Sequence, residues 1–384
     1  MQKVVVGMVG AARGTELHMG GYERVHGVEL RLKKIMGRRP EQVRPAKEKY
    51  GFEEDVYSFS DLLDDPEINV IDICTPPYTH SDMVIEALRA GKNVICEKPL
   101  TGCFDTSLTK AQMFDDVKAT LSDIAAAVKE SGKRFMYAEN FIYAPQIQRA
   151  AELLRARKSK ILYIMGEESL KGSSSAVAGD WAKTGGGTLM RVGSHPLGAA
   201  LYLKQIEAEA RNEKIEIESV ICDCATVTPN LSDYEHRAIS ARPKDVEDLS
   251  TTVIAFSDGS RCTIIANDVL LGGSKTCVNL YCNDFVANCK LTLADLMETY
   301  LPDDNDLENF QLSEMLPVKT GWNNPFVSDD IIRGYVDEMQ DFCESVAFDR
   351  EAKSNFDVAY NTTIAMYAAY ASAELNKRIQ IKDR

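Results

Sequence analysis

The chain is poor in tryptophan (2) and histidine (5) across its 384 residues, so any of these side chains that falls inside a motif carries information. It has no apolar run near the ~20 residues that a helical membrane span requires, which excludes a transmembrane bundle and leaves no membrane partner to expect. Basic residues are outnumbered: 44 Lys and Arg stand against 58 Asp and Glu, for a formal net charge of −14. Nucleic acids and anionic bilayers both demand clustered positive charge, so neither is an expected partner. The ten cysteines, at 74, 96, 103, 222, 224, 262, 277, 282, 289 and 343, contain no CxxC pair. The N-terminus lacks a long apolar signal segment and reads as a strand. Scattered thiols in that context point to a reducing, cytoplasmic setting. Cys222 and Cys224 fall two apart in a strand-like run and face one side. Buried thiols are the ordinary outcome there, and no metal site is expected.

What is present is enough for a sizeable core, 45% hydrophobic against 27% charged. The length exceeds one ordinary core, so two domains are expected, 1–140 and 141–384. In the first, apolar runs Val4–Val9, Val28–Met36, Val70–Cys74, Asn93–Cys96 and Arg134–Ala138 alternate with helical patterns Pro40–Tyr50, His80–Ala90 and Asp115–Ser131. That rhythm is the signature of a doubly wound parallel sheet, an α/β fold of Rossmann type. After about residue 150 it changes. A helix (Gln146–Arg155) and a strand (Lys160–Glu167) precede a Gly/Ser/Ala-rich stretch, Gly172–Gly187. Strand patterns Ile215–Val227, Leu249–Phe256, Ser260–Asn267 and Lys275–Cys282 then follow without helices between them. Asp258-Gly259 is a hairpin signal. An α+β domain with a large, mainly antiparallel open sheet is therefore expected. Helical patterns Asp329–Phe348 and Val358–Lys377 close the chain, placed to pack back on the first domain.

Gly10-Ala11-Ala12-Arg13-Gly14 lies between a strand and a helix, where a nucleotide pyrophosphate would meet backbone N–H groups. The G-x-G-x-x-G pattern is degraded to Gly10, Ala12 and Thr15, with Gly14 one place early. Ala12 still permits close approach, and Arg13 could neutralise phosphate. An ordinary glycine turn is the competing reading. At the end of the second strand an acid normally takes the ribose hydroxyls. Here Gly37-Arg38-Arg39 follows, and a guanidinium there would hold a 2′-phosphate. NAD and NADP both remain open, with a tilt toward NADP.

Thr75-Pro76-Pro77-Tyr78-Thr79-His80 precedes Ala90-Gly91-Lys92-Asn93-Val94-Ile95-Cys96-Glu97-Lys98-Pro99, a specific combination. On these residues the chain resembles the glucose–fructose oxidoreductase, inositol dehydrogenase and rhizopine-catabolism (Gfo/Idh/MocA) family. The resemblance continues through Ala138-Glu139-Asn140-Phe141, Tyr143, Gly185-Gly186-Gly187, His195 and Ser372-Ala373-Glu374, nearly the whole chain. It implies an NAD(P)-dependent dehydrogenase acting on the CH–OH group of a sugar, glycoside or polyol. It also implies a homodimer or homotetramer formed through the second sheet. Cofactor contacts are then expected from Gly10, Ala12, Arg13, Gly14, Arg38, Arg39, Thr75, Pro76, Pro77, His80, Glu97, Lys98 and Asn140. Lys98, often before a cis bond to Pro99, would lie beside the nicotinamide. His195 would take the substrate proton while Lys98 stabilises charge on the same oxygen. Substrate contacts are expected from Lys98, Tyr143, Arg191 and His195.

Two departures stand out. The family usually reads G-G-G-x-L-x-D-x-G-x-H-x-x-D, where this chain has Gly185-Gly186-Gly187-Thr188-Leu189-Met190-Arg191-Val192-Gly193-Ser194-His195-Pro196-Leu197-Gly198. Arg191 replaces an acid four residues before His195, a spacing that puts both on one helical face. It would donate to substrate hydroxyls, or pair with Glu167 or Glu168. The second departure is extra length at Thr101–Asp116, well placed for a lid or subunit contact. Trp181 and Trp322, the latter within Gly321-Trp322-Asn323-Asn324, are candidate sugar-stacking platforms or core. The Arg191–His195–Pro196 variant resembles a branch acting at carbon 3 of glucosides, in which the cofactor can stay bound. Rival readings are a reductase of another carbonyl or imine, a redox-neutral glycosidase using NAD transiently, and a non-catalytic nucleotide-binding paralogue.

Overall fold

A computed structural model describes residues 3–173, 175, 177–292, 299–301, 320–323 and 329–381. Six strands form the first sheet: β1 (Lys3–Val9), β2 (Glu29–Met36), β3 (Glu54–Val56), β4 (Val70–Ile73), β5 (Asn93–Glu97) and β6 (Phe135–Ala138). All pair in parallel, in the order β3-β2-β1-β4-β5-β6. Winding reverses between β1 and β4, which opens a crevice at their C-terminal ends. Both strands are buried almost throughout, as a sheet covered on two faces requires. Helices α1 (Arg13–Tyr22), α2 (Pro40–Tyr50), α3 (Ser60–Leu63), α4 (His80–Arg89) and α5 (Lys110–Ser131) lie between the strands.

Helix α5 begins at Lys110 rather than Asp115 because Thr109 and Gln112 form a capping box. It stops at Gly132, whose φ of 61° ends the helix in the left-handed region. The extra stretch 101–116 is accordingly divided. Residues 110–116 are helix, and 101–109 is irregular but packed, with Thr101 and Cys103 buried.

The second half contains α6 (Pro145–Arg157), β7 (Ile161–Ser169), α7 (Trp181–Thr184), α8 (Ser194–Arg211), β8 (Ile217–Ala225), β9 (Leu249–Phe256), β10 (Arg261–Asn267), β11 (Lys275–Cys282) and β12 (Val286–Lys290). A small pair, β13 (Thr299–Leu301) with β14 (Gly321–Asn323), precedes α9 (Asp329–Ile332), α10 (Tyr335–Phe348), α11 (Phe356–Leu375) and β15 (Ile379–Gln380). The large sheet runs β12-β11-β7-β10-β9-β8-β15. Only its β7–β10 pair is parallel. The helix expected over 329–348 is two, because Gly334 turns left-handed at φ 93°. A Cβ there would lie 2.4 Å from the Asn140 carbonyl oxygen, so the break is also a close approach. Helix α11 is apolar on nearly all sides and packs between α5 and β8. No helix among the described residues is long and apolar enough to cross a membrane.

Under the crevice Asp72 of β4 is fully buried. His18 of α1 places Nδ1 2.9 and 3.0 Å from its two oxygens, and the Tyr22 hydroxyl donates to it at 2.9 Å. Burial opposes a charge on His18, but Asp72 and Cys74 together hold its pKa well above the usual imidazole value. A raised histidine contributes stability that is complete below its unfolded pKa of about 6.5 and fades as pH rises through the folded value. The melting temperature is therefore expected to fall as pH climbs above neutrality, and His18→Gln to flatten that fall in calorimetry. Asp72→Ala, which strands two buried groups, is expected to lower the unfolding free energy in urea by about 3–5 kcal/mol.

Candidate active site

The crevice is entered at the glycine turn. Gly10 has φ 114°, donates its N–H to the Met36 carbonyl at 2.8 Å, and would put a Cβ 2.5 Å from the Cys74 carbonyl oxygen. Only glycine fits there. Helix α1 begins after Ala12 with no side chain capping it. Its first-turn N–H groups thus suit an anionic pyrophosphate. Gly14 leaves space above Cys74 and Glu97, whose Cβ and Cγ an added Cβ would meet at 3.4 and 3.7 Å. Arg13, exposed, donates to Glu16 at 2.9 Å. Arg38 and Arg39 are exposed just beyond β2, and no acid occurs between Met36 and Pro40. Thr75, Pro76 and Pro77 continue β4 on the other side of the turn, with the Thr75 and Thr79 hydroxyls 2.7 Å apart. These residues together form a surface that fits a dinucleotide.

Glu97 ends β5, and the Lys98–Pro99 peptide that follows is cis. His80 clamps this turn to the previous one: its Nδ1 and Nε2 each lie 2.8 Å from a carbonyl oxygen, of Pro99 and Thr75. Burial holds its pKa below the ordinary value against the pull of those carbonyls. His80 is a structural tie rather than an open cofactor contact. Glu97 accepts the Lys98 N–H at 2.9 Å and lies 3.4 Å from His18 Nε2. Burial would raise its pKa, but His18 and Lys98 keep it lowered. The Lys98 ammonium donates to the Arg191 carbonyl at 2.7 Å, which joins the turn to the second half of the chain.

His195, in the first turn of α8, puts Nδ1 2.7 Å from Oε1 of the buried Glu139. Its ring stacks on Phe141, centroids 4.7 Å apart. Gly198, one turn along α8, makes room for this carboxylate: an added Cβ would sit 2.7 Å from Glu139 Cγ. Arg191 lies in a π turn, Leu189–Gly193, before α8 starts. The two side chains therefore do not share one uninterrupted α-helical face. The guanidinium pairs with both oxygens of Asp268, not with Glu167 or Glu168.

Other expected contacts stand elsewhere. Tyr143 is fully buried, donates to Asp341 at 2.7 Å and accepts the Ser354 N–H, so it serves the core behind the site. Trp181 is buried too; its indole N–H donates to the Cys103 carbonyl at 3.0 Å, and Lys110 caps its ring. It offers no open face for a sugar. The Asn140 amide donates to the Arg333 carbonyl at 3.0 Å, tying two chain segments together. Trp322 is 75% exposed, and Asn324 beside it lies outside the described residues. Sequence alone picks out neither Glu139 nor Asp268 as a site residue, and it offers the buried Glu168 only as a partner for Arg191. Glu139 had a signal, since it lies inside a motif, but nothing local reveals its partner.

The glycine loop before the π turn is held from behind. Glu247 accepts the N–H groups of Gly187 and Leu189 at 3.0 and 2.9 Å and the Tyr370 hydroxyl at 2.9 Å. Burial pushes its pKa up to about 6.

Residues 4–139 match a family model described as an oxidoreductase family with an NAD-binding Rossmann fold. The chain is similar to the levoglucosan dehydrogenase of Pseudarthrobacter phenanthrenivorans, 26% identical over 279 residues, 68% of this chain and 66% of that one. It is 31% identical to the myo-inositol 2-dehydrogenase of Thermotoga maritima over 96 residues, 25% of this chain and 28% of that one. The matches thus span less than two thirds of either relative. Among solved structures, GenD2 from gentamicin A biosynthesis, in complex with NAD, superposes with a TM-score of 0.78 at 22% identity, covering 100% of this chain and 97% of that one. That likeness is one of fold.

Glu247→Ala is expected to lower the unfolding free energy by about 3 kcal/mol, since two buried N–H groups and a hydroxyl lose their acceptor. Faster hydrogen exchange at Gly187 and Leu189 checks that the loss is local to the loop.

Proposed function

We propose that the chain, whose residues 4–139 match the Gfo/Idh/MocA oxidoreductase family model, moves a hydride between a ring carbon bearing a hydroxyl, on a sugar, glycoside or polyol, and a nicotinamide nucleotide. The observation that carries the reading is His195 held by buried Glu139, 2.7 Å away, in the crevice that Lys98 enters.

The chemistry follows from those partners. The hydrogen bond to Glu139 assigns the proton of neutral His195 to Nδ1 and leaves Nε2 as a base. Nε2 then takes the hydroxyl proton of the substrate, and Glu139 supplies the counter-charge for the imidazolium that forms. Lys98 donates to the same substrate oxygen and stabilises negative charge as the proton leaves. The nicotinamide, when bound, supplies the hydride acceptor or donor. Arg191, whose carbonyl holds Lys98, turns its guanidinium onto Asp268, where its charge is met.

Similarity to a levoglucosan and an inositol dehydrogenase supports a polyhydroxylated ring as the substrate class. Oxidation at carbon 3 of a glucoside is the finer proposal. Arg38 and Arg39, with no neighbouring acid at the end of β2, favour NADP over NAD. The outer face of the large sheet carries the stacked pair Tyr163 and Tyr281 and the exposed Leu162 and Val286, which suits contact with a second copy of the chain.

A panel of free sugars, inositols and glycosides offered with each nicotinamide nucleotide tests the reading; failure of every member to reduce the nucleotide sinks it. Lys98→Met and His195→Ala are each expected to lower kcat by about 10²–10⁴-fold, and for His195→Ala nicotinamide fluorescence should report unchanged nucleotide binding. The double change Arg38→Ala with Arg39→Ala is expected to raise the KM for NADP about tenfold and leave that for NAD unchanged.

A further inference from the structure

Three polar groups of the crevice already have partners within the chain: Lys98 on the Arg191 carbonyl, Arg191 on Asp268, and His195 on Glu139. Glu168 differs. It lies on β7 opposite Ala266 of β10. That face of the sheet sits under the start of α8, since Gly166 abuts Pro196 and Ala266 abuts Gly193. Glu168 is 8% exposed, and its Oε2 is buried without a hydrogen-bond partner. Its neighbours Gly166 and Ala266 thus place it on the sheet face beneath the turn that carries His195, near enough for the charges of His195, Arg333, Lys98 and Glu139 to act on it. Burial raises its pKa, so protonation, which would add a donor to the carboxyl's acceptors, is easier there than in water.

A buried polar atom left unpaired costs free energy until something meets it. Here Lys98 and His195 are held by the Arg191 carbonyl and by Glu139, which leaves Oε2 open to a group of a bound substrate. Next to the oxygen held by Lys98 and His195, the nearest polar group of a ring polyol is the hydroxyl on the adjacent carbon. We propose that Glu168 reads this second hydroxyl and makes a free vicinal diol a requirement of the substrate. The proposal rests on the hydride-transfer reading above and narrows its substrate to a ring whose neighbouring hydroxyl is neither missing nor blocked.

The test compares wild type, Glu168→Ala and Glu168→Gln on a ring polyol that wild type oxidises and on analogues lacking each other hydroxyl in turn. Glu168→Ala is expected to lower kcat/KM on the parent about 100-fold. One analogue, without the vicinal hydroxyl, should show a loss of that order with wild type and no further loss with the alanine variant, the pattern of a coupled pair. Glu168→Gln, which keeps a donor and an acceptor, should recover activity to within about tenfold of wild type. Nucleotide binding by fluorescence should match in all three proteins. An alanine variant as active as wild type overturns the proposal, and so does one whose loss is uniform across the analogues. A wild-type protein that oxidises no polyol overturns the hydride-transfer reading itself, an outcome distinct from both.

Discussion

A carboxylate taken out of water must be met by donors, and four such groups organise this molecule. Asp72 gathers His18 and Tyr22 beneath the crevice floor. Glu247 gathers the backbone of the glycine loop and a tyrosine of the last long helix. Glu139 reaches from the end of the first sheet to His195, and Asp268 draws Arg191 toward the second. None of these acids needs to touch a substrate for the site to depend on it. Each fixes the backbone or ring that presents Lys98, His195 or the glycine turn, so the geometry of the crevice is set one layer behind its surface.

This arrangement explains what a linear reading reaches and what it misses. The parallel sheet was legible because β1, β4, β5 and β6 are mostly apolar runs, as burial on both faces demands. The Glu97-Lys98-Pro99 turn was legible because its signal is contiguous. The partner of His195 was not: Glu139 lies 56 positions away, and the space for it is created by Gly198 on a different element. Asp268 stands 77 positions from Arg191, beyond the reach of any helical spacing. The π turn at Leu189–Gly193 interrupted the helical face on which that spacing relied.

Aromatic type alone also misled. Tyr143 and Trp181 have the right chemistry for a sugar, but each directs its polar atom to a buried partner and its ring into the core. Short strands such as β3 and β15, of three and two residues, carry too little pattern to separate from a loop. The break at Gly334 is set by the nearby Asn140 carbonyl, a contact invisible along the chain.

Helix α11 has a consequence for the order in which the molecule can be made. Its Tyr367 hydroxyl donates to the Gly185 carbonyl at 2.8 Å and accepts the Cys103 N–H at 2.7 Å, while the helix body covers α5. Segments from residues near 100 and near 185 therefore wait for side chains near 370. During synthesis the nucleotide-binding half emerges before α11, so one face of α5 and the loop after Pro99 stay uncovered until that helix has left the ribosome. Maturation of the site is thus tied to the emergence of α11, and a nascent chain stalled before it would carry the Lys98 turn without the support that fixes the loop next to it.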